Sequence, residues 1–515
     1  MLLGLDVGSS SVKLLRLGKG GARSIVRRPI ATRRLSGGRV EQDAEAILET
    51  VIEAMRAGAR QGAAGDGAPL GIATQRSTVL FWDRDRGRPL TPALSWQDLR
   101  GARQVAALER GGAADRVARR TGLRLSPHYS ASKLAWALVR TPALRRRVES
   151  GRALWGTLGA FLVWRLSRGA LYAIDHANSQ RTSLIDLASL SWDVELFRLF
   201  RLEPLLQAPI LPALVPTTLS APVTLSGAPG APHLRAVTGD QQAALRALGG
   251  RGGGETMINL GSGAFLLRGV GAEPRRVEGL LTTLVESRAE PWPGCGTEAR
   301  YALEGTVNAA GTAIDWAERR LGLRVPIASI DRFLGPGDDH PRRVHFLPAV
   351  SGLGAPHWDS SARPGFHGDL RGATRRDLLR SVIESIACRC VEIARRAGSD
   401  RGPILVSGGL TLCGTLLQAE ADLIGRTLRV RESPDATAEG AALLAAGSGG
   451  ELFTAAARSR PGGDRMVRPR IGRDQAEARF RAWRRAVYSP GDGPGATGDG
   501  AAAGGASRAA RRARS

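Results

Sequence analysis

Hydrophobic positions in the first part of the chain alternate between the spacing of strands and the spacing of helices. LLGLDV, a small-residue turn and SVKLLRL predict two strands joined as a β-hairpin. Downstream, DAEAILETVIEAMRAGAR places apolar residues three and four positions apart, as in an amphipathic helix. GAPLGIATQ and TVLFWD then predict a further pair of strands. This alternation indicates an α/β domain in which helices pack on a central sheet.

The hairpin pattern begins again in the second half of the chain. Segments rich in Pro and Gly occupy residues 215–255, and TMINLGSGAFLLRGV then repeats the order strand, turn, strand. A chain of 515 residues is long enough for two large cores. We therefore expect two related domains, residues 1–245 and 246–486. Residues 487–515 are rich in Gly, Ala and Arg, cannot bury a core, and are predicted to form a disordered tail.

The formal net charge of +25 is carried almost wholly by arginine. Only three of the 73 basic residues are lysines, and the arginines are spread over most of the chain. A nucleic-acid-binding protein would gather its basic residues on one stripe. The distribution therefore favours an arginine-rich coding bias over a nucleic-acid surface, although a basic surface would still attract small anionic ligands.

Cysteine usage and hydropathy bear on the compartment. The four cysteines, Cys295, Cys388, Cys390 and Cys413, show neither paired metal-ligand spacing nor a disulfide framework, so a reducing, cytoplasmic compartment is expected. Cys388 and Cys390 lie in an apolar helical run and are expected in the core. No basic leader precedes an apolar run at the N-terminus, and the longest uncharged apolar window is too short to span a bilayer.

Three glycine-containing turns carry the candidate chemistry. The first, DVGSSSVK, joins an acid that can hold a metal ion through water to glycine, serines and Lys13, which can approach phosphate oxygens. A second turn, GSG, lies in the repeated hairpin, and a third, ILVSGG, ends a strand before a helical run. Asp240 stands between a glycine and the start of an apolar helix, where an N-cap is the simplest interpretation. Each of these signals is weak by itself.

The order of these segments across two similar halves resembles the FGGY carbohydrate kinases, a branch of the actin-like ATPase superfamily, and within them the glycerol kinases. The segments that carry the resemblance are GIATQRSTVLFWD, GRPLTPALSWQDLRG, GDQQAAL, NLGSGAF, LEGTVNAAGTAIDW, FLPAVSGLGAPHWD and ATAEGAALLA. The resemblance implies two actin-like (ribonuclease H-like) ATPase domains with a nucleotide cleft between them. It also implies ATP-dependent phosphorylation of a polyol or sugar hydroxyl, with glycerol the leading acceptor and Mg²⁺ as the metal.

The resemblance assigns roles to individual residues. Asp240 matches the general base that takes the proton of the attacking hydroxyl, and Asp6 and Asp240 match the magnesium site. ATP contacts are expected from Ser9, Ser10, Ser11, Lys13, Ser262, Gly311, Asp315, Gly408, Gly409 and Cys413. Acceptor contacts are expected from Arg76, Ser77, Trp96, His128, Gln241 and Phe265, in which aromatic faces meet carbon and polar groups meet hydroxyls.

Four positions depart from the glycerol kinase pattern. Ser77 replaces a glutamate in the QRE segment, and His128 replaces a tyrosine. Cys413 replaces an asparagine near adenine, and Asp315 replaces a glutamine. Loss of the carboxylate at Ser77 leaves substrate hydroxyls poorly paired, so the acceptor could instead be another polyol or ketose such as erythritol or xylulose.

Two further classes of function stay open at this point. One is a regulator that binds nucleotide and sugar without turnover, against which the presence of both Asp6 and Asp240 argues. The other is an actin-like structural or nucleic-acid-associated ATPase, which the polyol-pocket aromatics Trp96 and Phe265 do not favour. The family resemblance also allows a homo-oligomer. The expected partners are therefore ATP and a small polyol or sugar, with no nucleic acid and no membrane span.

Overall fold

The structure is a computed structural model, which describes residues 1–18, 21–62, 67–250, 253–289, 297–335, 343–398, 402–431, 435–447 and 464–488. The predicted disordered tail from residue 489 onward and Cys295 lie outside the described residues. The last helix runs to Tyr488, so the boundary expected at residue 487 falls within its final turn. None of the helices in the described ranges combines the length and the apolar composition that crossing a bilayer requires.

The strands of the first half are β1 (Leu2–Val7), β2 (Ser11–Gly18), β3 (Gly21–Pro29), β4 (Arg33–Leu35), β5 (Arg39–Gln42), β6 (Pro69–Thr74), β7 (Val79–Asp83), β8 (Ala93–Leu94), β9 (Ala153–Thr157), β10 (Ala173–Asp175), β11 (Ile185–Asp186), β12 (Ser191–Trp192), β13 (Ala213–Val215), β14 (Thr218–Thr224) and β15 (His233–Gly239). Those of the second half are β16 (Thr256–Leu260), β17 (Ala264–Gly271), β18 (Leu281–Ala289), β19 (Thr297–Val307), β20 (Val344–Leu347), β21 (Gly365–Gly368), β22 (Ile404–Ser407), β23 (Leu428–Val430) and β24 (Arg465–Val467).

The helices of the first half are α1 (Ala44–Arg60), α2 (Ala102–Arg110), α3 (Ala114–Thr121), α4 (Ser130–Arg140), α5 (Pro142–Glu149), α6 (Leu158–Leu166), α7 (His176–Gln180), α8 (Val194–Phe200) and α9 (Asp240–Ala247). Those of the second half are α10 (Gly311–Leu321), α11 (Ile330–Leu334), α12 (Arg375–Ala397), α13 (Gly414–Ile424), α14 (Ala436–Ala445) and α15 (Arg473–Tyr488). The amphipathic segment predicted near the N-terminus is α1, and the side chain of Asp43 caps it by accepting from the backbone N–H groups of Glu45 and Ala46.

A single 13-stranded sheet runs through both halves in the order β24-β23-β22-β16-β17-β19-β18-β14-β15-β6-β1-β2-β3. The two halves join where β14 pairs with β18 in parallel. Both predicted hairpins are confirmed, since β1 pairs antiparallel with β2 and β16 pairs antiparallel with β17. Helices cover this sheet and bury one large apolar cluster in each half, which confirms the α/β fold class. Cys388 and Cys390 lie in the second cluster, as expected.

The predicted pairing of β6 with β7 is wrong, although both segments are strands. β6 lies between β1 and β15 in parallel register, so neither of its edges is free for another strand. The chain turns after β6, and β7 pairs instead with β8 and β9 in a separate five-stranded sheet. The loop between β6 and β7 therefore crosses from the large sheet to the small one, and it carries two of the candidate acceptor residues, Arg76 and Ser77.

Helix α14, from the second half, packs against strands β1 and β6 and against helix α9 of the first half. Close approach requires a glycine here, because a Cβ atom added at Gly440 would lie 1.7 Å from the carbonyl oxygen of Ala243. Ala243 belongs to the helix that begins with Asp240. Helix α9, which carries the candidate base Asp240, therefore packs against elements from both halves of the chain.

Candidate functional site

The carboxyl ends of three neighbouring strands meet at one edge of the sheet. In the register of β1, β6 and β15, Val7, Thr74 and Gly239 lie side by side. The residues that directly follow these strands are therefore neighbours in space, although they are distant in sequence. Ligands of open α/β sheets bind at this edge because the loops that follow the strands converge there.

The first turn, after β1, is closed and braced by hydrogen bonds. Gly8 N donates to the carbonyl oxygen of Ser11 at 3.1 Å, which closes the turn between β1 and β2. Gln42 braces it by donating to the carbonyl oxygen of Ser9 at 2.9 Å. Ser10 lies exposed at the tip, whereas Ser11 is buried at the start of β2. The turn is thus fixed by hydrogen bonds while its tip stays exposed.

Asp6 and Lys13 form an ion pair at the base of this turn. They face each other across β1 and β2, and Lys13 Nζ lies 3.2 Å from Asp6 Oδ2. Burial raises the pKa of Asp6 to about 6; the charge of Lys13 opposes the rise and the negative charge of Asp240 adds to it. The carboxylates of Asp6 and Asp240 therefore act on each other electrostatically across the edge of the sheet.

Asp240 is the first residue of α9, not its N-cap. Gly239 occupies the cap position and has no side chain to offer, while Asp240 Oδ1 accepts from the N–H of Gln241 at 2.8 Å. Arg76 Nε lies 3.3 Å from the same oxygen. Burial raises the pKa of Asp240, and the positive charge of Arg76 opposes this rise. The carboxylate is thus held at the edge of the sheet by one arginine and one backbone donor.

Arg76 is oriented by a residue from the second half of the chain. Its Nη1 and Nη2 atoms donate to the two carboxylate oxygens of Glu304, on β19, at 3.0 and 3.1 Å. Glu304 is 2% exposed and also accepts from Arg181. Burial would raise the pKa of Glu304, but the charges of Arg181 and Arg76 outweigh it and hold the pKa at about 2. Arg76 thus uses two of its five N–H donors on Glu304, while its Nε atom forms an ion pair with Asp240.

The remaining candidate acceptor residues form two groups, each held by its own contacts. Trp96 is half-buried, and its carbonyl oxygen lies 3.0 Å from His128 Nδ1. Although His128 is exposed to solvent, partial desolvation by the surrounding protein lowers the pKa of its ring below the usual value. In the second group, Gln241 Oε1 accepts from Asn259 at 3.2 Å, and Asn259 pairs with Phe265 across β16 and β17. The half-buried ring of Phe265 is thus linked to the neighbour of Asp240.

The second and third turns lie side by side in the second half. The N-terminus of α10 docks on the second turn, where Gly311 N donates to Gly261 O at 3.0 Å and Thr312 N donates to Ser262 O at 3.1 Å. The third turn approaches as closely, since Gly408 has a φ of +105° and an added Cβ atom would lie 2.2 Å from Leu260 O. Ser262, Gly311, Gly408 and the exposed Gly409 are therefore brought together.

Asp315 and Cys413 have different surroundings. Asp315 is exposed one turn after Gly311 and lines an open cleft beside Arg319 and Arg324. Cys413 is fully buried, with Sγ 3.8 Å from Asp331 Oδ1, and burial raises the pKa of its thiol to about 12. The thiol thus faces the protein interior, so Cys413 would meet a nucleotide through its backbone. Asp331 instead provides the cap of α13 by accepting from Gly414 N and Thr415 N.

Asp6 and Asp240 fit a magnesium ion that arrives with a nucleotide. The described residues contain no cluster of three or more His, Cys, Asp or Glu side chains that would form a metal site without outside ligands. Magnesium commonly takes only one or two protein carboxylates, with phosphate oxygens and water as its other ligands. The carboxylates of Asp6 and Asp240, which interact beside the exposed tip of the first turn, could supply these two protein ligands.

Sequence reasoning did not single out Glu304, Arg181, Asp331 or Lys133. Glu304 lies in the segment YALEGTV, where a lone acid among apolar strand residues signals a buried charge with a partner. Arg181 lies in NSQRTS, a polar segment that is wholly buried. The partner of each residue could not be read from the sequence.

Both halves of the chain match known proteins. Residues 1–229 match the N-terminal domain, and residues 256–448 the C-terminal domain, of the FGGY family of carbohydrate kinases. A glycerol kinase from Thermus brockianus is 38% identical over 495 residues, which cover 94% of this chain and 97% of the relative. A glycerol kinase from Citrifermentans bemidjiense is 35% identical over 494 residues, which cover 94% and 98%.

Solved structures share the same fold. The crystal structure of Plasmodium falciparum glycerol kinase with ADP superposes with a TM-score of 0.81 at 23% identity, covering 94% of this chain and 96% of that one. A xylulose kinase from Lactobacillus acidophilus superposes with a TM-score of 0.78 at 19% identity, covering 93% and 96%. At these identities the likeness establishes the two-domain actin-like fold.

Proposed function

Because this chain belongs to the FGGY family of carbohydrate kinases, we propose that it transfers the γ-phosphoryl group of ATP to glycerol and forms glycerol 3-phosphate. The observation that carries the proposal is the position of Asp240 at the carboxyl end of β15. There it is held by Arg76 and lies close enough to Asp6 and the first turn for their charges to interact. An acid so placed can serve as a base beside a phosphate site.

In the proposed reaction, Asp240 accepts the proton of one glycerol hydroxyl while the oxygen of that hydroxyl forms a bond to the γ-phosphorus. The bond between the γ-phosphorus and the β,γ-bridging oxygen breaks, and ADP leaves with its electron pair. A fixed carboxylate suits this role, because catalysis of phosphoryl transfer depends mainly on position and charge. The N–H groups of Arg76 that do not bond to Glu304 would orient the remaining glycerol hydroxyls.

The three turns would bind ATP. Ser9, Ser10, Ser11, Lys13 and Ser262 would contact phosphate oxygens, whereas Gly311, Asp315, Gly408, Gly409 and the backbone of Cys413 would line the nucleoside end. Asp6 and Asp240 would hold a magnesium ion, which would neutralise charge on the phosphates. A cytoplasmic location is part of the proposal, because ATP is the donor and the cysteines among the described residues are free thiols.

Acceptor selection is the part of the proposal that needs the sharpest test. Ser77 brings a hydroxyl where glycerol kinases carry a carboxylate, and Trp96, His128, Gln241 and Phe265 complete the proposed pocket. Purified protein with magnesium and ATP should be assayed for ADP release with glycerol, erythritol, ribitol, xylulose, ribulose and gluconate. Glycerol should give the highest kcat/KM, and ³¹P NMR should identify the product as the 3-phosphate.

An Asp240→Asn variant tests the proposed base. Loss of a general base should lower kcat by about 10²- to 10⁴-fold while the variant still binds ATP. Asp115→Asn is the matched control, because Asp115 is an exposed aspartate of the first half, paired with Arg119 on the surface. Turnover of xylulose or erythritol in preference to glycerol would reassign the acceptor. Binding of ATP without stimulation by any acceptor would support a regulator that does not turn over.

A further inference from the structure

Lys133 is a fully buried lysine. Burial lowers its pKa to about 7, but its three carbonyl partners require the three donors of the ammonium form. It lies on α4, and its Nζ donates to the carbonyl oxygens of Ser77 at 2.7 Å, Ser95 at 2.9 Å and His128 at 2.9 Å. An ammonium group has three donors, so these bonds saturate it. Within the described part of the chain no carboxylate forms an ion pair with it. Buried cations are normally paired with anions, so a cation bound only to carbonyl groups needs another explanation.

The three carbonyl groups belong to three separate segments, and each segment carries a proposed acceptor residue. Ser77 lies in the loop that crosses from β6 to β7, and Ser95 directly precedes Trp96 after β8. His128 lies in the turn that leads into α4, and its own carbonyl group is one of the three. Lys133 therefore bridges the parts of the chain that place the side chains of Ser77, Trp96 and His128.

The conformation of Ser77 shows why such a bridge is needed. Ser77 has a φ of 64°, in the left-handed region that non-glycine residues seldom occupy. Its carbonyl oxygen accepts from Lys133 and also from Ser130 Oγ at 3.2 Å. Strained backbone persists only where the surrounding structure over-determines it, and it concentrates at ligand-binding sites. The two donors hold the Ser77 carbonyl in an orientation that its own backbone does not favour.

We propose that Lys133 is a positioning residue that assembles the acceptor pocket by tying the Ser77, Trp96 and His128 segments to one point. The inference rests on the proposed function and deepens it, because it concerns how the same pocket is built. Lys133 itself does not touch the acceptor. Its removal should therefore loosen the acceptor pocket and leave the three ATP turns, which lie on other elements, unchanged.

The test compares Lys133→Met, which keeps the length of the side chain and removes the donors, with the wild-type enzyme. The KM for glycerol should rise by about tenfold to a hundredfold, because displacement of the pocket side chains by about 1 Å can reduce catalytic efficiency by up to about a hundredfold. The KM for ATP should stay within about twofold, since uniform binding at a separate site is untouched. The preference for glycerol over erythritol and xylulose, measured as a ratio of kcat/KM, should also fall.

Arg165→Met is the matched control. Arg165 is a partly buried cation in the same half of the chain and donates to the Glu45 carboxylate and to the Gly87 carbonyl group. Its loss should lower stability without changing the glycerol KM or the acceptor preference. A Lys133→Met enzyme that folds and shows only the behaviour of this control would overturn the proposal. Absence of turnover in the wild-type protein would instead count against the proposed function.

Ser130→Ala keeps the test decisive if Lys133→Met does not fold. It removes one hydroxyl and one of the two donors to the Ser77 carbonyl group, and leaves Lys133 in place. A smaller rise of the glycerol KM, about two- to fivefold, at constant ATP KM is expected from the loss of one hydrogen bond. An unchanged glycerol KM and acceptor preference in this variant would overturn the proposal.

Discussion

Glu304 forms ion pairs with both Arg76 and Arg181, so its replacement should affect two buried arginines at once. Replacement of Glu304 by Gln keeps the shape of the side chain and removes its charge. Arg76 would lose one of the two carboxylate oxygens it binds. Arg181 and Arg76 would then both face an uncharged amide group in place of the carboxylate. Both buried arginines would then still interact with the negative charge of Asp240. We expect Arg76 to turn toward Asp240, which would lower the activity as well as the stability.

Two estimates of the loss of stability agree. The pKa of about 2 for Glu304, against an ordinary value of 4.5, corresponds to about 3 kcal/mol at neutral pH. Removal of one partner of a buried ion pair costs about 3–5 kcal/mol. Because the folded-state pKa is depressed, this stabilisation is present above pH 4.5 and is lost as the pH falls toward 2. The variant and the wild type should therefore converge in acid.

The measurement is urea-induced unfolding of Glu304→Gln, Glu298→Gln and wild type at pH 7, repeated at decreasing pH. Glu298 lies on the same strand but is half exposed and pairs with Arg300 at the surface, so its replacement should change stability by less than about 0.5 kcal/mol. A loss below about 1 kcal/mol for Glu304→Gln at pH 7 would refute the reasoning. A difference between Glu304→Gln and wild type that persists unchanged in acid would also refute it.

Two further predictions concern the second half of the chain. Burial raises the pKa of Glu420 to about 8, so the free energy of unfolding of the wild type should decline as the pH rises from 4.5 through 8. Thermal unfolding measured across this pH range should show a smaller decline for Glu420→Gln. Gly408→Ala should weaken ATP binding at least about tenfold, because its Cβ atom would clash with Leu260 O and a φ of +105° is strained for alanine. Calorimetry measures this affinity, and an unchanged value would show that the third turn adapts.

Much of the fold was readable from local patterns. Alternating apolar residues around small-residue turns predicted both hairpins, and helical spacing predicted α1, because these signals act over a few residues. The pairing of β6 with β7 was predicted wrongly, since proximity in sequence favours a hairpin and only the sheet shows that β1 and β15 occupy both edges of β6. Edge occupancy is a property of the whole sheet.

The same division applies to the candidate site. The candidate site residues, among them Asp6, Asp240 and Ser262, were predicted from the resemblance of their segments to the FGGY carbohydrate kinases, because each turn is a weak signal by itself. The residues that hold them were not found. Glu304 meets Arg76 across 228 positions, and Lys133 meets Ser77 across 56. The first contact arises from the packing of the two halves and the second from the packing of α4 against the loop after β6. The sequence by itself therefore indicated the candidate reactive groups, whereas the tertiary structure alone decided which residues orient them.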